Sequence, residues 1–147
     1  MKEAYLGIDA HKDQNVVALA FAGRGDPELY GKTPADLDAF ERVLRRILAK
    51  HGLEKEDVGV CYEAGPTGFV LCRRLRARGF ACEVVAPSLI PVRASDRVKT
   101  DRRDARKLAR LFRSGELVFV TVPDAADEVI RDVCRGRADA VDVQAQA

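Results

Sequence analysis

Four acidic residues stand where their side chains could meet: Asp9, Glu63, Asp101 and Asp104. Asp9 and Glu63 each follow an apolar run that predicts a buried strand, in the stretches YLGIDAHK and VCYEAG. The other two open a predicted helix in KTDRRDA, and their i, i+3 spacing puts both on one face. Converged acids repel one another and raise each other's pKa. Divalent cations relieve that repulsion, and four carboxylates can hold two Mg²⁺ or Mn²⁺ ions about 3.5–4 Å apart for phosphodiester chemistry.

The same motifs carry a family resemblance. GIDAHK, YEAG and KTDRRDA, in that order, resemble the Asp-Glu-Asp-Asp transposases of insertion sequences, also called bridge-RNA-guided recombinases, over roughly residues 4–135. The resemblance implies a RuvC-like (RNase H-like) domain with Asp9, Glu63, Asp101 and Asp104 as its catalytic, metal-binding tetrad. It implies DNA as a partner and raises a structured guide RNA as a second. Complete members of that family resemble longer chains, with a helical connection and a second domain that supplies a nucleophilic serine.

Size and composition favour one soluble globular domain. The chain has 147 residues, 47% hydrophobic and 33% charged, which is enough to bury a core. No apolar run approaches the roughly 20 residues that a membrane helix needs, and the N-terminus does not resemble a signal peptide. We therefore expect a cytoplasmic protein that does not enter a membrane. The four cysteines, at positions 61, 72, 82 and 134, lack the spacing of a zinc site and are expected to be reduced structural thiols.

The net charge of +2 hides an asymmetry along the chain. Residues 66–113 contain 13 Lys/Arg against 4 Asp/Glu, a balance of +9, and the remaining residues contain 12 against 19, a balance of −7. A basic segment of this size predicts a surface that binds a polyanion, although some of its arginines must simply be solvated. The candidate nucleic-acid-binding residues are Lys12, Lys99, Arg102, Arg103, Arg106 and Arg110.

Hydrophobic periodicity predicts the elements that would position the acids. Strands are expected at 4–10, 14–22, 29–32, 58–62 and 80–86, and helices at 69–78 and from a Thr100 cap to about residue 113. A further helix should begin at a Thr33 cap with Pro34 in its first position and end at His51-Gly52. The order β-β-β-α-β-α-β is what an RNase H-like mixed α/β sheet requires, with the last two strands parallel to the first. The segment 117–122 is ambiguous.

The domain prediction is a RuvC-like catalytic domain at 1–122 and a helical extension at 123–147, which pairs in a homodimer or frays. Because the chain ends at Ala147, we expect an isolated N-terminal domain of a longer transposase pattern.

Three other functions compete with a metal-dependent transposase domain. G-I-D also opens the sugar kinase, actin and chaperone ATPase superfamily, but those proteins need glycine-rich phosphate hairpins, and no glycine follows here before Gly23. The second is a nucleic-acid-binding module without turnover, which the +9 segment supports. The third is a stand-alone Holliday-junction resolvase, which shares the fold and metals and would cut four-way junctions without a second domain.

Overall fold

Six strands form one mixed sheet in the order β3-β2-β1-β4-β5-β6. The computed structural model describes residues 2–65, 68–87, 90 and 101–124, without the side chains of 101–103. The strands are β1 Ala4–Ala10, β2 Gln14–Phe21, β3 Glu28–Pro34, β4 Val58–Glu63, β5 Ala81–Val85 and β6 Phe119–Val120. The helices are α1 Leu37–His51, α2 Val70–Ala77 and α3 Asp101–Ser114, and a short 3-10 turn spans Lys55–Asp57.

Strand directions follow from the lengths of the connections. A short turn joins β1 to β2, which pair antiparallel, and β3 continues the meander. Helical crossovers through α1 and α2 bring β4 and β5 in parallel to β1, as such connections require. The short β6 pairs antiparallel with β5 and gives the ambiguous segment 117–122 a strand. The predicted fold class, an RNase H-like mixed α/β sheet with flanking helices, is confirmed.

Each face of the sheet is covered by helices. Leu6, Ile8 and Val60 pack with α1 and α2, in a core that includes Phe40 and Leu75. On the opposite face, two smaller clusters pack against α3 through residues such as Val16, Ala105, Cys61 and Leu108. Side chains alternate between faces along a strand, so the central strands are buried on both sides and read as continuous apolar runs.

The start of α1 differs from the sequence prediction. Asp36 is the N-cap, and its side chain accepts a hydrogen bond of 2.8 Å from Ala39 N. Thr33 is not a cap, since it lies buried in β3 opposite Asn15. Strand pairing therefore extends β3 through the predicted cap. The predicted end of the helix is confirmed, because Gly52 takes the left-handed conformation with φ 65°.

Several sequence predictions lie outside the described residues. They are the Thr100 cap, most of the loop before α3, Cys134 and the C-terminal extension from residue 125 onward. Within the described residues, no helix is long and apolar enough to cross a membrane.

Candidate active site

Two of the four predicted acids stand side by side at one edge of the sheet. In the parallel pair β1–β4, Ile8 is in register with Tyr62, so Asp9 and Glu63 come next on adjacent strands. Neighbouring strands lie about 4.8 Å apart. Asp9 is a buried acid, 9% exposed, and Glu63 is partly buried. The carboxyl ends of the two central parallel strands therefore bring two carboxylates together.

Both of these side chains belong to the face that carries α3. Asp9 is two residues beyond Gly7, where an added Cβ would stand 2.4 Å from the Ala105 carbonyl oxygen. Glu63 is two residues beyond Cys61, which packs with Leu108. Because alternate residues of a strand share a face, Asp9 and Glu63 face the helix.

Helix α3 runs antiparallel to β1, which fixes where its acidic end lies. Its residues near 105–109 cross Gly7, and further along Phe112 contacts Tyr5, with ring centroids 5.1 Å apart. The first turn, with Asp101 and Asp104, therefore lies toward the carboxyl end of β1, where Asp9 stands. Asp104 is partly buried; Asp101 belongs to the helix, but its side chain lies outside the described residues.

His11 contacts Asp9 at this edge of the sheet. Its Nε2 lies 3.0 Å from Asp9 Oδ2, and the ring is substantially exposed. A protonated imidazole would form an ion pair here and a neutral one would donate a hydrogen bond, depending on the tautomer. The sequence left open whether His11 assists proton transfer or shapes the turn after β1; in the structure it is a hydrogen-bond partner of the Asp9 carboxylate.

The side chains of these acids offer oxygen atoms as ligands for a divalent cation. Carboxylate oxygens are the ligands of Mg²⁺ and Mn²⁺, and a buried carboxylate such as Asp9 gains from a positive partner. Among the side chains that the structure describes, no three His, Cys, Asp or Glu approach closely enough to enclose an ion. Asp101, the fourth predicted ligand, is not in that set, so metal ligation by the four acids stays a prediction.

The predicted phosphate-binding cations have different environments. Lys12 lines a groove beside His11. On α3, Arg106 is exposed, while Arg110 is partly buried and its Nε has no hydrogen-bond partner among the described residues. Lys99 and the side chains of Arg102 and Arg103 lie outside the described part of the chain.

Arginines in and directly after α2 form ion pairs with acidic residues of α1 and β5. Arg74 and Arg78 both bind Glu41 of α1, at 3.2 and 3.0 Å, and Arg76 binds Glu83 at 3.3 Å. These contacts hold the pKa of Glu41 below its ordinary value, mainly through the hydrogen bond from Arg78. The basic segment is therefore partly neutralised by α1 and β5, which its local sequence could not reveal.

The prediction of reduced structural thiols is confirmed for the three cysteines that the structure describes. Cys61, Cys72 and Cys82 are free thiols buried in the core. Burial raises the pKa of the Cys61 thiol, which disfavours a reactive thiolate there.

Comparison with known proteins gives consistent matches. A model of a transposase family, the DEDD transposases of the IS110 type, matches residues 6–147. Over 142 residues the chain is 49% identical to transposase y4qE of Sinorhizobium fredii (strain NBRC 101917 / NGR234), covering 96% of this chain and 35% of that protein. It is 35% identical over 137 residues to the transposase for insertion sequence element IS1533 of Leptospira borgpetersenii, covering 92% and 38%.

A solved structure is also similar. It is that of Thermus thermophilus RuvC, with a TM-score of 0.49 and 12% identity over 80% of this chain and 99% of that one. The chain spans little more than a third of the length of the two transposases it matches. The family model covers nearly the whole sequence, and the chain therefore belongs to the DEDD transposases of IS110-type insertion sequences.

Proposed function

We propose that this chain is the catalytic domain of a DNA transposase, in which Asp9, Glu63, Asp101 and Asp104 hold two Mg²⁺ or Mn²⁺ ions and act on DNA phosphodiesters. The observation that carries the proposal is the placement of Asp9 and Glu63 on adjacent strand ends, facing the helix whose first turn carries the other two acids. Bound there, such ions supply charge neutralisation and activate a hydroxyl nucleophile.

The surrounding residues would hold the acids in place. The close contact between Gly7 and α3 fixes the height of the helix over β1, and His11 orients Asp9. Exposed Arg106 and the neighbouring Arg102, Arg103 and Arg110 of α3, with Lys12 and Lys99, would contact backbone phosphates. Those contacts would position the DNA but would not read its sequence.

The proposal extends to the longer protein that the relatives represent. In that protein, residues 1–122 would form the RuvC-like domain, and 123–147 would begin the connection to a domain with a nucleophilic serine. Strand transfer would then need both domains in a composite site. A guide RNA, a homodimer and a cytoplasmic location belong to the same proposal, and each needs its own test.

The first experiment measures metal binding apart from activity. Thermal unfolding with Mn²⁺ or Mg²⁺ would compare the wild type with Asp9→Asn, Glu63→Gln and Asp104→Asn, since a ligand that binds only the native state raises its stability. Asp26→Asn, in the exposed loop before β3, is the matched control. The wild type and the control should gain stability with metal and the three site variants should not. Equal gains in all five proteins would contradict the proposed site.

The second experiment measures metal-dependent cleavage of linear DNA and of four-way junctions. Cleavage by the full-length transposase that is lost in Asp9→Asn supports a catalytic domain. Junction cleavage by this chain alone would favour a stand-alone resolvase. DNA binding without cleavage, in the full-length protein as well, would favour the non-catalytic binding module.

A further inference from the structure

Lys32 lies on the same face of the sheet as Asp9, two strands away. Asp9 is in register with Val16 of β2, and Val16 is in register with Lys32 of β3. Directly opposed residues of an antiparallel pair share a face, and Val16 packs in one cluster with Ala105 of α3. The three residues therefore form a row across the α3 face, which puts Lys32 about 10 Å from Asp9 at the ordinary strand spacing.

Helix α3 turns a basic side toward β2 and β3. The Nη1 atom of Arg113 donates hydrogen bonds to the carbonyl oxygens of Phe21 and Gly25, at 3.1 and 2.6 Å, so this side contacts the end of β2 and the loop before β3. Arg106 stands two helical turns before Arg113 and projects from the same side of the helix. Because α3 runs antiparallel to β1, Arg106 is the one of the two that lies nearer Asp9.

The charges of Lys32 and Arg106 are available to a ligand. Both residues are exposed, and neither side chain forms a hydrogen bond or ion pair with any residue in the described part of the chain. The arginines in and after α2, by contrast, are paired with acids of α1 and β5. The acid Glu28 of β3 lies opposite Leu19, which packs in the core with α1 and α2, so it belongs to the other face. Lys32 and Arg106 therefore form a positive surface beside Asp9.

We propose that Lys32 and Arg106 bind backbone phosphates of the DNA strand on one side of the reacting phosphodiester, the side toward β3. The proposal rests on the proposed function, because the acids define which phosphodiester reacts. The strand would run from Asp9 across β2 to the edge strand β3, alongside Arg106. Such contacts position a strand without reading its bases. Lys32 lies outside the basic segment 66–113, and only strand pairing brings it into this row.

Binding of a fluorescent single-stranded DNA oligonucleotide, measured in EDTA over a series of salt concentrations, tests these contacts apart from metal. Lys32→Gln and Arg106→Gln should each weaken binding roughly fivefold at about 0.1 M salt and reduce the salt slope by about 0.7, as expected for one lost phosphate contact to a single strand. The double variant should lose both contributions, because each residue binds a different phosphate. Both side chains are exposed, so thermal unfolding should match that of the wild type.

Lys50→Gln and Arg46→Gln are the matched controls. They remove the same charges from exposed positions of α1, which packs on the opposite face of the sheet, and should bind within about twofold of the wild type. An oligonucleotide with uncharged methylphosphonate linkages should bind equally to the wild type and to Lys32→Gln. Equal losses in the site variants and the controls would overturn the proposal. Weaker binding of an RNA of the same sequence, with unchanged binding of DNA, would assign the surface to RNA and also overturn it.

Asp9→Asn tests where the strand lies relative to the acids. Without metal, the Asp9 carboxylate repels a phosphate beside it, so Asp9→Asn should bind the DNA oligonucleotide in EDTA more tightly than the wild type does. Asp26→Asn, in the exposed loop before β3, should bind as the wild type does. Unchanged affinity in Asp9→Asn would overturn the placement of the strand. Failure of metal-dependent stabilisation alone would contradict the proposed function, and it is distinguishable because these affinities are measured without metal.

Discussion

Gly7 of β1 lies directly against Ala105 of α3, so that a Cβ on Gly7 would stand 2.4 Å from the Ala105 carbonyl oxygen and 2.5 Å from Ala109 N. Both are backbone atoms, which cannot move without moving the helix. The absence of a side chain at Gly7 therefore sets how closely α3 approaches the strand that ends at Asp9. In the proposed metal site, the acids of α3 would need that spacing to reach the strand ends.

Gly7→Ala should lower the free energy of unfolding by about 1–3 kcal/mol, because the added methyl overpacks a backbone contact. It should also abolish metal-dependent stabilisation by lifting the first turn of α3. Urea denaturation with and without Mn²⁺ measures both effects. Gly25→Ala is the matched control, since nothing lies within 4 Å of its Cβ position. Wild-type stability in Gly7→Ala would mean that α3 is free to shift.

Asp9→Asn should leave the fold intact without metal, because it replaces a buried charge by a neutral group of the same shape. The contact to His11 can persist with the amide oxygen as acceptor. Metal-dependent stabilisation should disappear. Thermal unfolding in EDTA and in Mn²⁺ separates the two effects. Unfolding of the variant in EDTA would indicate that Asp9 is structural rather than a ligand.

Tyr62→Phe should cost about 1–3 kcal/mol of stability, because it removes a buried hydroxyl that makes two hydrogen bonds. That hydroxyl donates to Gly68 O at 2.9 Å and accepts from Cys72 N at 3.2 Å, so it ties the start of α2 to β4. Burial also raises the pKa of Tyr62. Urea denaturation is the measurement, with Tyr30→Phe as control because Tyr30 is 41% exposed. Equal stability of Tyr62→Phe and Tyr30→Phe would mean that the hydrogen bonds of the Tyr62 hydroxyl do not stabilise the contact between α2 and β4.

Glu41 should make stability depend on pH in the acid range. Its folded pKa lies below the ordinary value of 4.5, chiefly through the hydrogen bond from Arg78, so the unfolded chain binds the proton more readily. The stabilisation is complete above pH 4.5 and is lost as pH falls through the folded pKa. Glu41→Gln should be less stable than the wild type near neutral pH and converge with it in acid.

Urea denaturation of Glu41→Gln and the wild type across that pH range checks the prediction. Glu28→Gln, on the exposed edge strand β3, is the matched control and should follow the wild type at each pH. A constant difference between Glu41→Gln and the wild type at all pH values would mean that packing, not charge, links α1 to α2.

Removal of residues from about Val129 onward should leave the sheet domain folded, because α1 and α2 pack on one face of the sheet and α3 on the other. If the extension pairs in a homodimer, the truncated chain should become monomeric. Thermal unfolding and light scattering measure the two properties. Loss of the fold on truncation would place the extension in the core and contradict a domain boundary near residue 122.

The sequence by itself determined the order and kinds of the main elements. Continuous apolar runs marked β1 and β4 as strands buried on both faces, and helical spacing marked α1 and α3. The motifs around Asp9, Glu63 and Asp101 gave the family resemblance that the family match supports. Local patterns sufficed here because residues close together in the sequence determine both the burial periodicity and the turns.

The tertiary structure decided what depends on contacts between distant segments. Pairing with Asn15 drew Thr33 into β3 and moved the α1 cap to Asp36, which local cap preference could not foresee. Ion pairs with Glu41 and Glu83 partly neutralise the arginines in and after α2, so these arginines contribute less to the basic surface. The antiparallel run of α3 over Gly7 points its first turn toward the carboxyl end of β1, where Asp9 lies, and side-chain alternation and register decide which residues share that face.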